Sequence, residues 1–190
     1  QVSSLLGDGM GGFRPRTTWP AGDGPHRLSV ADLDEDGALD LAIPGYGDDV
    51  VTMVFGNGDG TFGDAVAFSC GGTDPWCATT ADVNGDGLID VAAVNAASDT
   101  MSVLLNLGDR SFAPAVVIEV GVGPRWVTAA DLNGDARSDL IVANRGDDNL
   151  SIFLNGCAPC AADMDGDGEL TLFDFLAFGV LYDLGSPLAD

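Results

Sequence analysis

An all-β fold built from repeated, small antiparallel sheets is predicted by three features of the chain. A twelve-residue acidic segment occurs three times, so that Asp32, Asp82 and Asp131 open equivalent stretches about fifty residues apart. Each copy is flanked by short runs rich in Val, Ile, Leu and Thr, separated by the Gly, Asn and Asp clusters that turn hairpins. Apolar residues make up 46% of the 190-residue chain, enough for a packed core in spite of a formal net charge of −23.

The elements follow one another in a fixed order. Each unit begins at a proline (Pro25, Pro75, Pro124) with a short β-rich run at residues 28–30, 78–80 and 127–129. The acidic loop comes next, and behind it a buried-looking second strand at 39–43, 89–94 and 140–143. A polar turn (45–49, 95–99, 144–149) leads to a third strand at 50–55, 100–105 and 150–154. In two units a Gly-rich connection ending in Phe62 or Phe112 then leads to a fourth strand, at 65–68 and 115–120. Four short strands per unit of about fifty residues is the pattern of a propeller blade. Residues 3–13 repeat the stretch from third strand to Phe, so the chain opens partway through a blade. The third unit gives way at residues 156–160 to Gly-Cys-Ala-Pro-Cys, which divides the chain into propeller repeats at 1–155 and a Cys-x-x-Cys linker with a tail at 156–190.

The acidic loops carry the chemistry. Oxygen-bearing side chains stand at loop positions 1, 3, 5 and 9: Asp32, Asp34, Asp36 and Asp40; Asp82, Asn84, Asp86 and Asp90; Asp131, Asn133, Asp135 and Asp139. Alternate oxygens on a tight, glycine-assisted loop suit a hard cation such as Ca²⁺, which takes six to eight oxygen ligands. The third loop departs from the others at Ala136, where they have glycine, and a tighter geometry or weaker metal site is expected there. The tail follows the EF-hand loop pattern, with Asp163, Asp165, Asp167, Glu169 (through its backbone carbonyl), Thr171 and Asp174 as ligand candidates. The expected cofactor is therefore Ca²⁺, at three propeller-loop sites and one EF-hand-like site. The apolar residues 172, 173, 175, 176, 178 and 181 then follow a helical spacing.

Charge and composition exclude several function classes. Only seven Lys and Arg stand against thirty Asp and Glu, so nucleic acid would be repelled. No run of about eighteen apolar residues is present to span a membrane as a helix. Four cysteines in two close pairs, Cys70/Cys77 and Cys157/Cys160, fit an oxidising compartment, and of the three possible connectivities the local bridges 70–77 and 157–160 are expected. The chain starts at Gln1, so either a leader has been removed or it is an excerpt. A secreted, extracellular or cell-surface location is the reading.

These repeats resemble the FG-GAP/VCBS family, the calcium-loop blades of integrin-α-type β-propellers, over roughly residues 1–155. The resemblance implies Ca²⁺ at the twelve loop positions named above. Residues 161–184 are similar to a single dockerin-type calcium segment, which implies a cohesin-like partner. Three blades and a fragment fall short of the four to eight that close a propeller. Other protein chains are therefore expected to complete the ring or to assemble with this one, since an unpaired edge strand invites another.

No catalytic role is expected. His26 is the single histidine and has no nucleophile near it in the pattern, and nearly all Asp residues belong to loops or turns. The expected function is that of a secreted, calcium-binding structural or adhesion protein in an extracellular assembly. The alternative is a carbohydrate-binding or accessory module of a polysaccharide-degrading enzyme, with Trp19, Trp76 and Trp126 as platforms for glycans. Arg145-Gly146-Asp147 spells an adhesion tripeptide but falls on the turn common to all units.

Overall fold

The computed structural model describes residues 1–156, and within them every element is a strand or a turn. β1 (Val2–Ser4) and β2 (Thr17–Trp19) pair as a two-stranded ribbon. Blade 1 is a four-stranded antiparallel meander of β3 (Ser29–Ala31), β4 (Asp40–Gly45), β5 (Val50–Gly56) and β6 (Phe62–Ser69). Blade 2 repeats it with β7 (Pro75–Ala81), β8 (Asp90–Asn95) and β9 (Thr100–Leu104). A small hairpin of β10 (Asn106–Gly108) and β11 (Ser111–Phe112) precedes its last strand, β12 (Val116–Glu119). Blade 3 has three strands, β13 (Pro124–Ala130), β14 (Asp139–Asn144) and β15 (Asn149–Phe153). The blades do not close into a ring among the described residues.

The order of strands within each blade is the one expected from the repeat. One strand goes beyond that expectation: β2 pairs with β1 as a fourth strand pairs with a third, so the ribbon is the outer half of a blade. No described helix is long and apolar enough to cross a membrane.

The core lies between the blades, because the central strands are buried on both faces and alternate residues point to opposite neighbours. Val91 and Ala93 of β8 face Leu33, Met53 and Phe55 of blade 1, whereas Ala92 and Val94 face Val127, Leu140 and Val142 of blade 3. On β4, Ala42 joins the cluster shared with blade 2, while Leu41 and Ile43 pack with Val54 and Val2 toward the ribbon. A continuous apolar run such as residues 91–94 therefore serves two interfaces at once. On the far side of blade 3, Leu150, Ile152 and Leu154 are more than half exposed.

The expected Cys70–Cys77 bridge is corrected by this arrangement. Both are buried free thiols. Cys70, just past β6, belongs to the cluster between blades 1 and 2, and its Sγ contacts the Asp49 and Gly72 carbonyls. Cys77, on β7, belongs to the cluster between blades 2 and 3. Only six residues of chain separate them, but the turn into a new blade sends them to opposite faces. Burial raises the pKa of both thiols above the ordinary value, which makes them unreactive. Cys157 and Cys160 lie outside the described residues, as do the six tail ligand candidates.

Candidate metal centre and the seams between blades

Each acidic loop joins the first strand of a blade to the second, and its position-9 aspartate is the first residue of that second strand. Asp40, Asp90 and Asp139 are almost fully buried. All three hold the backbone in the same way. One oxygen of Asp40 accepts the Leu33 N–H at 2.7 Å, and the other accepts that of Gly56 at the end of β5, also at 2.7 Å. Asp90 does the same for Val83 (3.0 Å) and Asn106 (2.8 Å), and Asp139 for Leu132 and Asn155 (both 2.7 Å). The carboxylate therefore fastens the start of the loop to the third strand. Burial raises the carboxyl pKa of Asp40, and that of Asp90 to about 6, although the amides oppose the shift.

The same point joins successive blades. The Asn106 amide donates to the Leu33 carbonyl of blade 1 at 2.7 Å and to its own blade's Ile89 carbonyl at 3.0 Å. Asn155 repeats this with Val83 of blade 2 (2.8 Å) and Ser138 (3.3 Å). At the opposite rim, Asp49 accepts the Asp74 N–H of the next blade at 2.9 Å, and Asp99 that of Gly123 at 2.7 Å. The tripeptide aspartate Asp147 accepts the Val122 N–H at 2.8 Å, as Asp48 accepts that of Asp23. Its carboxylate is thus engaged in holding the turn.

Within the loops the position-1 and position-5 oxygens cap turning amides. Asp82 accepts the Gly85 and Gly87 N–H groups, and Asp131 those of Gly134 and Ala136. Asp36, Asp86 and Asp135 each accept the N–H two residues on. The Gly134 and Ala136 amides hold the Asp131 carboxyl below the usual range. Ala136 takes the left-handed conformation (φ 69°) that glycine takes at the same place in the other loops, Gly37 (85°) and Gly87 (91°). The third loop thus keeps the geometry of its siblings, and the departure at Ala136 is stored as backbone strain. An Ala136→Gly variant is expected to melt at a higher temperature, with a gain of about 1 kcal/mol in calcium-free buffer from relief of that strain.

The loops differ in what is left for a cation. In loop 1 a ligand oxygen from each of Asp32, Asp34 and Asp40 lies within 4.8 Å of the others. Asp32 gives one oxygen to the Gly37 N–H, and its Oδ1 is buried with no hydrogen-bond partner. A buried anionic oxygen without a donor is costly unless a cation meets it. All-oxygen, carboxylate-rich donors are the set that suits Ca²⁺, so these residues fit that ion. In loops 2 and 3 both oxygens of Asp82 and Asp131 are already engaged, and the Asn84 and Asn133 amides close on Asp86 and Asp135 at 2.8 Å. Of the expected sites, loop 1 is the one the geometry brings together among the described residues.

The tryptophans are engaged in packing. Trp19 meets Phe62 edge-on at 5.2 Å. Trp76 lies 3.9 Å from the His26 ring and under the Arg125 guanidinium at 4.0 Å; Trp126 lies under Arg27 at 4.4 Å and stays half exposed.

The family model described as FG-GAP-like repeat matches residues 41–93 and 82–142 of the chain. No curated protein matches it. Among solved structures, a lectin from Agrocybe aegerita, described for specific recognition of non-reducing terminal N-acetylglucosamine, is 25% identical with a TM-score of 0.41. That match covers 66% of this chain and 37% of the lectin chain, so the chain spans well under half the length of that relative.

Proposed function

The chain belongs to the FG-GAP-like repeat family, and we propose that it is a calcium-stiffened, non-catalytic adhesion or structural module of an extracellular assembly. The observation that carries this reading is the orphaned Asp32 Oδ1 beside Asp34 and Asp40, in a loop whose buried Asp40 also ties blade 1 together. A cation there would neutralise the carboxylates at the point where the backbone of one blade meets the side chain of the next. Calcium acts in this reading by making the seams rigid.

The test is a calorimetric calcium titration combined with light scattering in millimolar calcium and after chelation. Saturable calcium binding with a calcium-dependent multimer is expected. Binding with an unchanged monomer mass would overturn the assembly part alone, and absence of binding would overturn the calcium-stiffened reading.

A further inference from the structure

Loop 1 differs from its siblings in charge as well as in its orphaned oxygen. At positions 1, 3, 5 and 9 it carries four carboxylates, whereas loops 2 and 3 have asparagine at position 3 and so carry three each. The excess charge is met from another blade. Arg110, in the turn between β10 and β11, reaches back 76 residues to place its Nε 2.6 Å from Asp34 Oδ2, with an Nη 3.7 Å from Asp36. The Asp34 side chain is only 5% exposed and the guanidinium lies 4.7 Å over the Phe55 ring, although the Arg110 side chain itself is half exposed, so the pair is anchored on the Asp34 side.

The backbone beneath Arg110 points the same way. Aligning the repeats on Phe13, Phe62 and Phe112 puts Arg110 where the ribbon has Gly11 and blade 1 has Gly60. Those glycines have φ 92° and 86°, and Arg110 keeps the left-handed conformation at 61°, next to Asp109 at 51°. An arginine in a glycine's conformation is strained, and what it gains for that strain is the contact with loop 1.

We infer that Arg110 is a resident counter-cation of loop 1, which competes with a bound divalent cation for Asp34. It offsets one of the four ligand-position carboxylates of loop 1, and it holds blade 2 to blade 1 while no ion is bound. Because competition is reciprocal, loading of loop 1 loosens the β10–β11 turn, and seating of Arg110 weakens the ion. This rests on the calcium reading above and adds a regulatory residue to it.

The experiment compares wild type with Arg110→Met, which keeps an apolar stem against Phe55 without the charge, and with Arg110→Lys, which keeps the charge. Calcium titration of Arg110→Met is expected to show one site about fivefold tighter than in wild type, with the other sites unmoved; Asp32→Asn should abolish that site. Arg110→Lys should stay near wild type. In chelator Arg110→Met should melt below wild type, and saturating calcium should remove the difference. Calcium binding with affinities indifferent to Arg110→Met would overturn this inference and leave the calcium reading standing. No calcium binding by any of the proteins would overturn both.

Discussion

Replacing Asp90 by alanine is expected to cost about 3–5 kcal/mol in the calcium-free protein, a large part of the 5–15 kcal/mol that holds a typical domain together. The carboxylate is 1% exposed and accepts two buried N–H groups, from Val83 and Asn106. Alanine leaves both donors without partners, and each orphaned donor costs about 1–3 kcal/mol. The effect reaches beyond one loop, because β8 faces hydrophobic clusters on both sides. Chemical denaturation would measure it, and a loss below about 1 kcal/mol would show that the carboxylate is not the fastening it is taken to be.

The same residue sets a pH dependence. Burial raises the Asp90 carboxyl to about 6, with Asp86 and Asp82 adding to the shift and the Asn106 and Val83 amides opposing it. The unfolded chain releases that proton near 4, so between about pH 4 and 6 the folded protein binds it more tightly. This contribution to stability is full below about pH 4 and is lost as the pH rises through 6. Asp90→Ala lacks it, so its penalty in calcium-free buffer should be greater at pH 5 than at pH 8.

Asn106→Ala is expected to cost about 2–3 kcal/mol through a different element. Its side chain donates to the Leu33 carbonyl across the seam and to Ile89 within its own blade, and both carbonyls lose their donor in the variant. The backbone N–H of residue 106 still reaches Asp90, so blade 2 keeps its own fastening while its hold on blade 1 weakens. Asn155→Ala should act likewise on the next seam. With the two seams acting independently, the double variant should lose the sum of the single losses to within about 0.5 kcal/mol. A much larger combined loss in denaturation experiments would show that the seams are coupled through blade 2.

Period and alternation were legible in the chain because they are local. The spacing of Asp32, Asp82 and Asp131 set the units, and runs such as residues 91–94 declared strands buried on both faces. The acidic loops were legible as a pattern, but residue type at ligand spacing does not reveal where an oxygen points. Asp40, Asp90 and Asp139 turn theirs to backbone amides supplied by the loop and by a strand end sixteen residues on. Arg110 carried little signal, since its partner lies in another blade and its turn departs from the repeat. The glycines aligned with it were the available clue. The cysteine bridge failed for a related reason: nearness in sequence says nothing about which of two cores a residue enters. Strand β2 escaped notice because Thr17–Trp19 is short and has little apolar alternation.

Among the described residues, three side-chain contacts that tie one blade to the acidic loop of another run backward along the chain. Asn106 and Arg110 reach back to loop 1, and Asn155 reaches back to loop 2. A ribosome delivers the chain in the other direction, N-terminus first, at about 5–20 residues per second. When blade 1 has emerged in full, the Leu33 carbonyl and the Asp34 carboxylate still await partners that lie 73 and 76 residues further on. Each blade can begin to fold as it appears, but it is completed by its successor, so a stalled or truncated product carries its unfinished surface at the growing end.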